Sequence, residues 1–186
     1  EMNYSETVFV LPKEGEGHAR IRIFTPTIEI PLAGHPTLGT AFVLAAPLQL
    51  DEIRLETGAG LVPVTLERDG SRIAFGLMEQ PVPTFEPYDD EAALLEGVGV
   101  ERSELPVEVY DNGLRHVYVA LPSEEAVAAL RPNFGALADL PAVLGINCFA
   151  GSGSRWKTRM FAPGNGVPED PATGSAAGPL AVHLAR

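Results

Sequence analysis

Apolar residues alternate with polar ones, or run together, in two short segments near the start of the chain. These are Thr7-Val-Phe-Val-Leu11 and Ala19-Arg-Ile-Arg-Ile-Phe24, separated by the turn-forming Pro12-Lys-Glu-Gly-Glu-Gly17. A period of two marks a strand with one buried face, so both are predicted as strands of one sheet. Thr40-Ala-Phe-Val-Leu-Ala-Ala46 is apolar all round and stops at Pro47. That pattern predicts a short helix near residues 38–46, enclosed by other elements. Glu52–Glu56, Leu61–Leu66 and Arg72–Leu77 follow as strands, the last two joined around Asp69-Gly70, with Pro63 implying an edge or a bulge.

From Pro81 to Pro87 the sequence is proline-rich, with neither a helical nor a strand period, and the acidic Asp89-Asp-Glu91 comes next. A domain boundary is placed there, giving an N-terminal half over 1–80, a linker region over 81–105 and a C-terminal half over 106–186. A short helix is predicted over Glu91–Glu96. Val107–Tyr110 and Arg115–Leu121 then form strands turned at Asn112-Gly113, and Ser123 caps a helix that ends before Pro132. Ala142–Cys148 and Arg155–Phe161 complete the strands, and a second apolar helix covers 175–185, kinked or delayed by Gly178-Pro179.

The same phrase occurs twice. Arg22-Ile-Phe-Thr-Pro26 precedes Gly34-His-Pro-Thr-Leu-Gly-Thr-Ala41, and Arg159-Met-Phe-Ala-Pro163 precedes Glu169-Asp-Pro-Ala-Thr-Gly-Ser-Ala176. The strands are offset by 137 residues (22 to 159) and the loops, aligned on His35 and Asp170, by 135 (35 to 170). This is an internal duplication, and it predicts two similar α/β halves, each a sheet with a buried helix. On this alignment His35 in one copy stands where Asp170 stands in the other.

Charge removes several functions. Thirteen Lys and Arg against 25 Asp and Glu leave a net charge of −12, a field that repels nucleic acid and anionic membranes. No run is long and apolar enough for a membrane span and no signal peptide is visible, so cytoplasm is the default expectation. Cys148 is the single cysteine, which excludes an internal disulfide and a two-thiol racemase site within one chain. No His and acidic spacing resembles a metal site. The chain begins at Glu1 and ends in an apolar, helix-like run, so terminal segments are expected to be missing.

A glycine-rich loop entering a helix presents unpaired N–H groups and partial positive charge, a setting for carboxylate or phosphate. Taken singly, Gly39-Thr40 and Gly174-Ser175 read as ordinary capping sequences, His35 as a structural hydrogen-bonder and Asp170 as a turn former. As a pair of duplicated loops ending in titratable side chains, they read as a grip for a small anion with His35 and Asp170 holding substrate or moving protons. Glu6 opens the first strand beside apolar residues and is the candidate base. Arg22 and Arg159 occupy matched strand positions, for which solvated or packing roles suffice.

Asn3-Tyr-Ser-Glu6-Thr-Val-Phe9, Arg22–Pro26, Gly34–Ala41 and Glu169-Asp-Pro-Ala-Thr-Gly-Ser-Ala-Ala-Gly-Pro-Leu180 together resemble the PhzF-like family of phenazine-biosynthesis isomerases. The resemblance implies the diaminopimelate epimerase-like fold, with two curved sheets around central helices and an active site between the halves. It implies that Glu6 shuttles a proton, that His35 and Asp170 orient the substrate and stabilise charge, and that Gly34, Gly174 and Ser175 bind it. It further implies a cofactor-independent isomerase without metal, acting as a homodimer on a small cyclic or unsaturated amino or hydroxy carboxylic acid. A non-catalytic small-carboxylate binding protein and an amino-acid epimerase or racemase are the alternatives.

Overall fold

The computed structural model describes residues 4–140 and 145–186. Asn3 of the first motif and residues 142–144 of the strand predicted over 142–148 lie outside the described residues. Two compact units are present: Glu1–Val82 with Thr173–Gly178, and Pro83–Ala172 with Pro179–Arg186. Among the described residues no helix is long and apolar enough to cross a membrane, and no group of three or more His, Cys, Asp or Glu is arranged to hold a metal ion.

The first unit holds a mixed sheet in the order β1 (Thr7–Leu11), β2 (Ala19–Phe24), β4 (Glu52–Thr57), β5 (Gly60–Asp69), β6 (Arg72–Met78), with the two-residue β3 (Glu29–Ile30) pairing on β2. All neighbours are antiparallel except β2 and β4. A parallel pair needs a long crossover, and α1 (Gly34–Leu48) supplies it. The helix buries Gly34, Thr37, Ala41 and Ala45, a stripe of small residues that lets its backbone approach the sheet. Gly76 on β6 completes the fit, since a Cβ there would lie 2.6 Å from Phe42 and 3.0 Å from Leu38 of α1.

Four expectations change here. The helix starts at Gly34 rather than near residue 38, so Gly39 and Thr40 lie inside it, and the Thr40 hydroxyl donates back to Pro36 O at 2.8 Å instead of capping. It also passes through Pro47, close to its C-terminus, where Arg68 and the αL residue Gln49 meet the Ala45 and Ala46 carbonyls. Nor is it enclosed, for Val43 is 73 % exposed. Pro63 sits in a strand with neighbours on both sides, without a bulge at that position. The partner opposite it, Arg54, turns both its backbone N–H and its C=O toward His18, so the missing proline N–H breaks no bond on that side.

The second unit is a six-stranded sheet ordered β12 (Val167–Asp170), β11 (Arg155–Ala162), β10 (Gly145–Ser152), β9 (Arg115–Ala120), β8 (Glu108–Asp111), β7 (Thr84–Pro87), with β9 and β10 its parallel pair. β7 lies within the proline-rich stretch read as lacking a strand period; its pairing with β8 is a long-range property. Helices α2 (Glu91–Val98), α3 (Glu124–Ala129) and α4 (Phe134–Ala138) bring Leu94, Val98, Val127 and Leu137 onto Val117, Val119, Ile146 and Phe161. Ser123 caps α3 as expected, and Asn133 does the same for α4, which the sequence reading missed. Helix α5 (Ala177–Ala185) packs His183 among Tyr110, Tyr118 and Phe149.

The loop between β1 and β2 is fastened from within the sheet. The Glu56 carboxylate on β4 accepts the backbone N–H groups of Glu14, Gly15 and Gly17, each at 2.8 Å. The Glu14 amide is the chief reason the Glu56 carboxyl is held below the usual carboxylate range; burial opposes it, and the Gly17 and Gly15 amides add to it. A depressed folded pKa stabilises the fold above the unfolded value of about 4.3 and loses that effect as pH falls through the folded value. Glu56→Gln is therefore expected to lower the melting temperature at pH 7 and to speed amide exchange over residues 14–17. In thermal scans the gap between variant and parent should close on acidification below pH 4.

Candidate active site

Glu6 stands immediately before β1, and His35 is the second residue of α1. Packing of β1 against α1 brings Glu6 Oε2 to 3.2 Å from His35 Nε2, and the Ser5 hydroxyl donates to the same oxygen at 2.6 Å. The Glu6 side chain is 12 % exposed and that of His35 is 50 % exposed. A carboxylate largely withdrawn from water thus faces an imidazole that solvent or a ligand can reach.

The start of α1 is open to an anion. Ala33 is extended at φ −150° and no side chain caps the helix. Pro36 lies in the first turn, where its missing N–H is not needed. The N–H groups of the first turn and the helix dipole remain to receive negative charge. Thr37, which the sequence reading passed over, is fully buried in this turn, and its hydroxyl has no hydrogen-bond partner among the described residues. It stands inside the Gly34–Ala41 motif, where nothing sets it apart from its neighbours.

Against this helix start lies the turn Gly174–Ala176 that leads into α5. A Cβ on Gly34 would fall 2.7 Å from Gly174 Cα and 2.8 Å from Ser175 N, and one on Gly174 would fall 3.2 Å from Gly34 Cα. A side chain on Gly34 would run into backbone, and one on Gly174 would be crowded by it. Gln80, another residue the sequence did not single out, donates from Nε2 to Gly174 O at 2.7 Å and lies against Gly178, where a Cβ would come 2.9 Å from its Oε1. Ser175 is buried. The first unit therefore gathers Glu6, Gly34, His35, Gly174 and Ser175.

Asp170 belongs to the second unit. It ends β12 opposite Met160, and its Oδ1 accepts the Ala172 N–H at 3.4 Å. In the same sheet His116 is 1 % exposed, with Asn147 Nδ2 at 3.2 Å from its Nδ1. Burial pushes its pKa down to about 4 against the opposing charges of Asp111 and Asp170, so the ring is neutral near pH 7. Cys148 on β10 is fully buried and its thiol is pushed up to about 12, which leaves it unreactive.

The pairing of the two repeats is corrected by the strand register. Ile23 faces Ile30 and Met160 faces Asp170, while Arg22 pairs with Glu29 and Arg159 with Glu169. The loops are offset by 140 residues (29 to 169, 31 to 171, 34 to 174), not 135. The three extra residues of the second copy are taken up around the short 3-10 turn Pro163–Asn165, beside a register shift between Met160 and Ala162. The counterpart of His35 is Ser175, and the counterpart of Asp170 is the buried Ile30.

The profile of the family described as phenazine biosynthesis-like protein matches residues 1–186. The chain belongs to that family. It is 54 % identical over 186 residues to trans-2,3-dihydro-3-hydroxyanthranilate isomerase of Pseudomonas aeruginosa, covering all of this chain and 66 % of that protein. The chain spans the same 66 % of the Pseudomonas fluorescens enzyme of that name, at 50 % identity. Among solved structures, the phenazine biosynthesis protein of the PhzF family from Bacillus anthracis superposes with a TM-score of 0.79 at 26 % identity, over 98 % of this chain and 66 % of that one. A hydroxyproline epimerase from Agrobacterium vitis, at TM-score 0.70 and 15 % identity over 97 % of this chain and 60 % of its own, shares the fold. The mixed α/β, epimerase-like fold expected from the sequence is the fold of this family member.

Because Gly34 leaves no space for a Cβ, Gly34→Ala is expected to destabilise the protein by about 1–3 kcal/mol through overpacking of backbone against backbone. Gly174→Ala, with the wider clearance, should cost less. Urea unfolding of the two variants beside the parent measures the difference.

Proposed function

We propose that the protein is an isomerase that moves a proton between carbons of a small cyclic or unsaturated amino or hydroxy carboxylic acid. The observation that carries this reading is the Glu6 carboxylate set 3.2 Å from His35 Nε2 beside the uncapped start of α1. Support comes from the identity of 54 % to a relative named as a hydroxyanthranilate isomerase.

In this mechanism the substrate carboxylate rests on the N–H groups of the α1 start and of the Gly174-Ser175 turn, where the dipole and backbone donors offset its charge. Glu6 takes a proton from carbon and returns it at another carbon of the same molecule. His35 donates to the Glu6 carboxylate and orients it; Asp170 holds the substrate amine or hydroxyl. Proton transfer is the only chemistry required, so carboxylate and imidazole groups suffice without a cofactor. The buried, protonated thiol of Cys148 takes no part. By its family resemblance the protein would work as a homodimer in the cytoplasm.

Proton NMR in D2O with trans-2,3-dihydro-3-hydroxyanthranilate tests the reading. The parent should incorporate deuterium at carbon and form an isomer, and Glu6→Gln should lower that rate by roughly 10²-fold or more while still binding the acid. Equal exchange by variant and parent would overturn the role of Glu6. Binding by the parent with no exchange at any carbon would identify a carboxylate-binding protein instead, and loss of optical activity without a positional shift would identify an epimerase.

A further inference from the structure

Arg22 and Arg159 prove to be more than solvated strand residues. Arg22 forms a two-pronged pair with Glu29, Nε to Oε1 at 2.8 Å and Nη2 to Oε2 at 2.6 Å. Arg159 repeats it with Glu169 at 2.7 and 2.8 Å. Each guanidinium also lies 5.0 Å from the centre of the ring two residues on, Phe24 in one copy and Phe161 in the other. The arrangement is the same in both units although the second loop carries three more residues and a register shift. The two copies keep the geometry of the pair, not the length of the loop between its members.

Such a fork fixes distance and angle together, which a lysine point charge does not. Each glutamate opens a Glu-x-Pro-x-x-Gly segment: Glu29 lies five residues before Gly34, and Glu169 directly precedes Asp170, five residues before Gly174. We propose that Arg22–Glu29 and Arg159–Glu169 are twin positioning pairs, the first setting where Gly34 and His35 stand and the second setting where Asp170 stands. The inference rests on the reading that these residues meet the substrate. Neither pair touches the reacting atoms in this scheme; each acts through the segment it anchors.

The second pair is the more confined. The Arg159 side chain is 20 % exposed against 44 % for Arg22, and its Nη1 also donates to Leu130 O at 3.0 Å and Val127 O at 3.3 Å at the end of α3. Hydrogen bonding from Arg159 holds the Glu169 carboxyl below the usual range. Arg22–Glu29 is the more exposed pair, and exposed ion pairs contribute little to global stability. Loss of the fork should therefore appear as misplacement of one segment rather than as unfolding.

The test uses Arg159→Lys, Glu169→Gln and Arg22→Lys, with hydrogen-deuterium exchange read by mass spectrometry and turnover read by deuterium incorporation into trans-2,3-dihydro-3-hydroxyanthranilate. Arg159→Lys and Glu169→Gln should speed exchange over residues 169–175 and leave 29–36 as in the parent, and Arg22→Lys should do the reverse. Catalytic rate should fall roughly ten- to a hundred-fold in the Arg159 and Glu169 variants, and less in Arg22→Lys, with melting temperatures near that of the parent. Exchange that rises evenly along the chain, or local exchange and turnover both unchanged, would overturn the proposal. If the parent itself does not turn over the acid, the proposed function fails, and the segment-specific exchange alone decides whether the pairs are positioning devices.

Discussion

Gly34 and Gly174 approach so closely that a methyl group on Gly34 would run into backbone and one on Gly174 would be crowded by it. Much of the candidate site follows from that contact. It puts the first turn of α1 against the turn that leads into α5, so two sets of backbone donors stand side by side with no side chain between them. It fixes His35 and Ser175, each the residue after its glycine, next to the junction. Gln80 closes the arrangement by donating to the Gly174 carbonyl, which uses an acceptor that would otherwise compete for the donors nearby. Neither glycine has a positive φ; they are needed for clearance rather than for an unusual backbone.

The electrostatics of the protein and of the site differ in sign. A chain with net charge −12 repels a carboxylate at long range, and only local features can receive one. Several arginines are already engaged: Arg22 and Arg159 with glutamates, Arg68 with the end of α1, Arg186 with Glu108. Beside Glu6, the features that can receive an anion are the helix start with its dipole and the imidazole of His35. A helix terminus acts over a few ångströms, which favours a small ligand seated on the backbone over a large polyanion held at a distance.

The two repeats have kept a frame and changed its contents. Arginine, aromatic ring, glutamate, proline and glycine recur in order, and the arginine–glutamate forks close in the same way in both units. The titratable side chains His35 and Asp170 do not recur. His35 has Ser175 as its counterpart and Asp170 has Ile30, so a histidine in a helix turn of the first copy and an aspartate at a strand end of the second each lack a like residue in the other copy. A duplicated scaffold thereby presents unlike groups without altering the positions that hold it together.

Much of this was legible in the sequence because it depends on short-range preferences. Alternation located most of the strands, glycine-bearing turns located the hairpins at Gly70 and Gly113, Ser123 marked its helix, and the repeated phrases with Glu6, His35, Asp170, Gly174 and Ser175 pointed to the family. What the sequence misled or withheld depends on partners far along the chain. The start of α1 at Gly34 has no capping side chain to announce it, and the Ala45 carbonyl near its end is met by Arg68 from a distant strand. Pro63 is tolerated because Arg54 bonds elsewhere, and β7 is a strand because β8 lies beside it. Local conformation can be read from neighbours in sequence. The equivalence of His35 with Ser175, the arginine–glutamate forks and the meeting of two glycines 140 residues apart were decided only when packing excluded every other register.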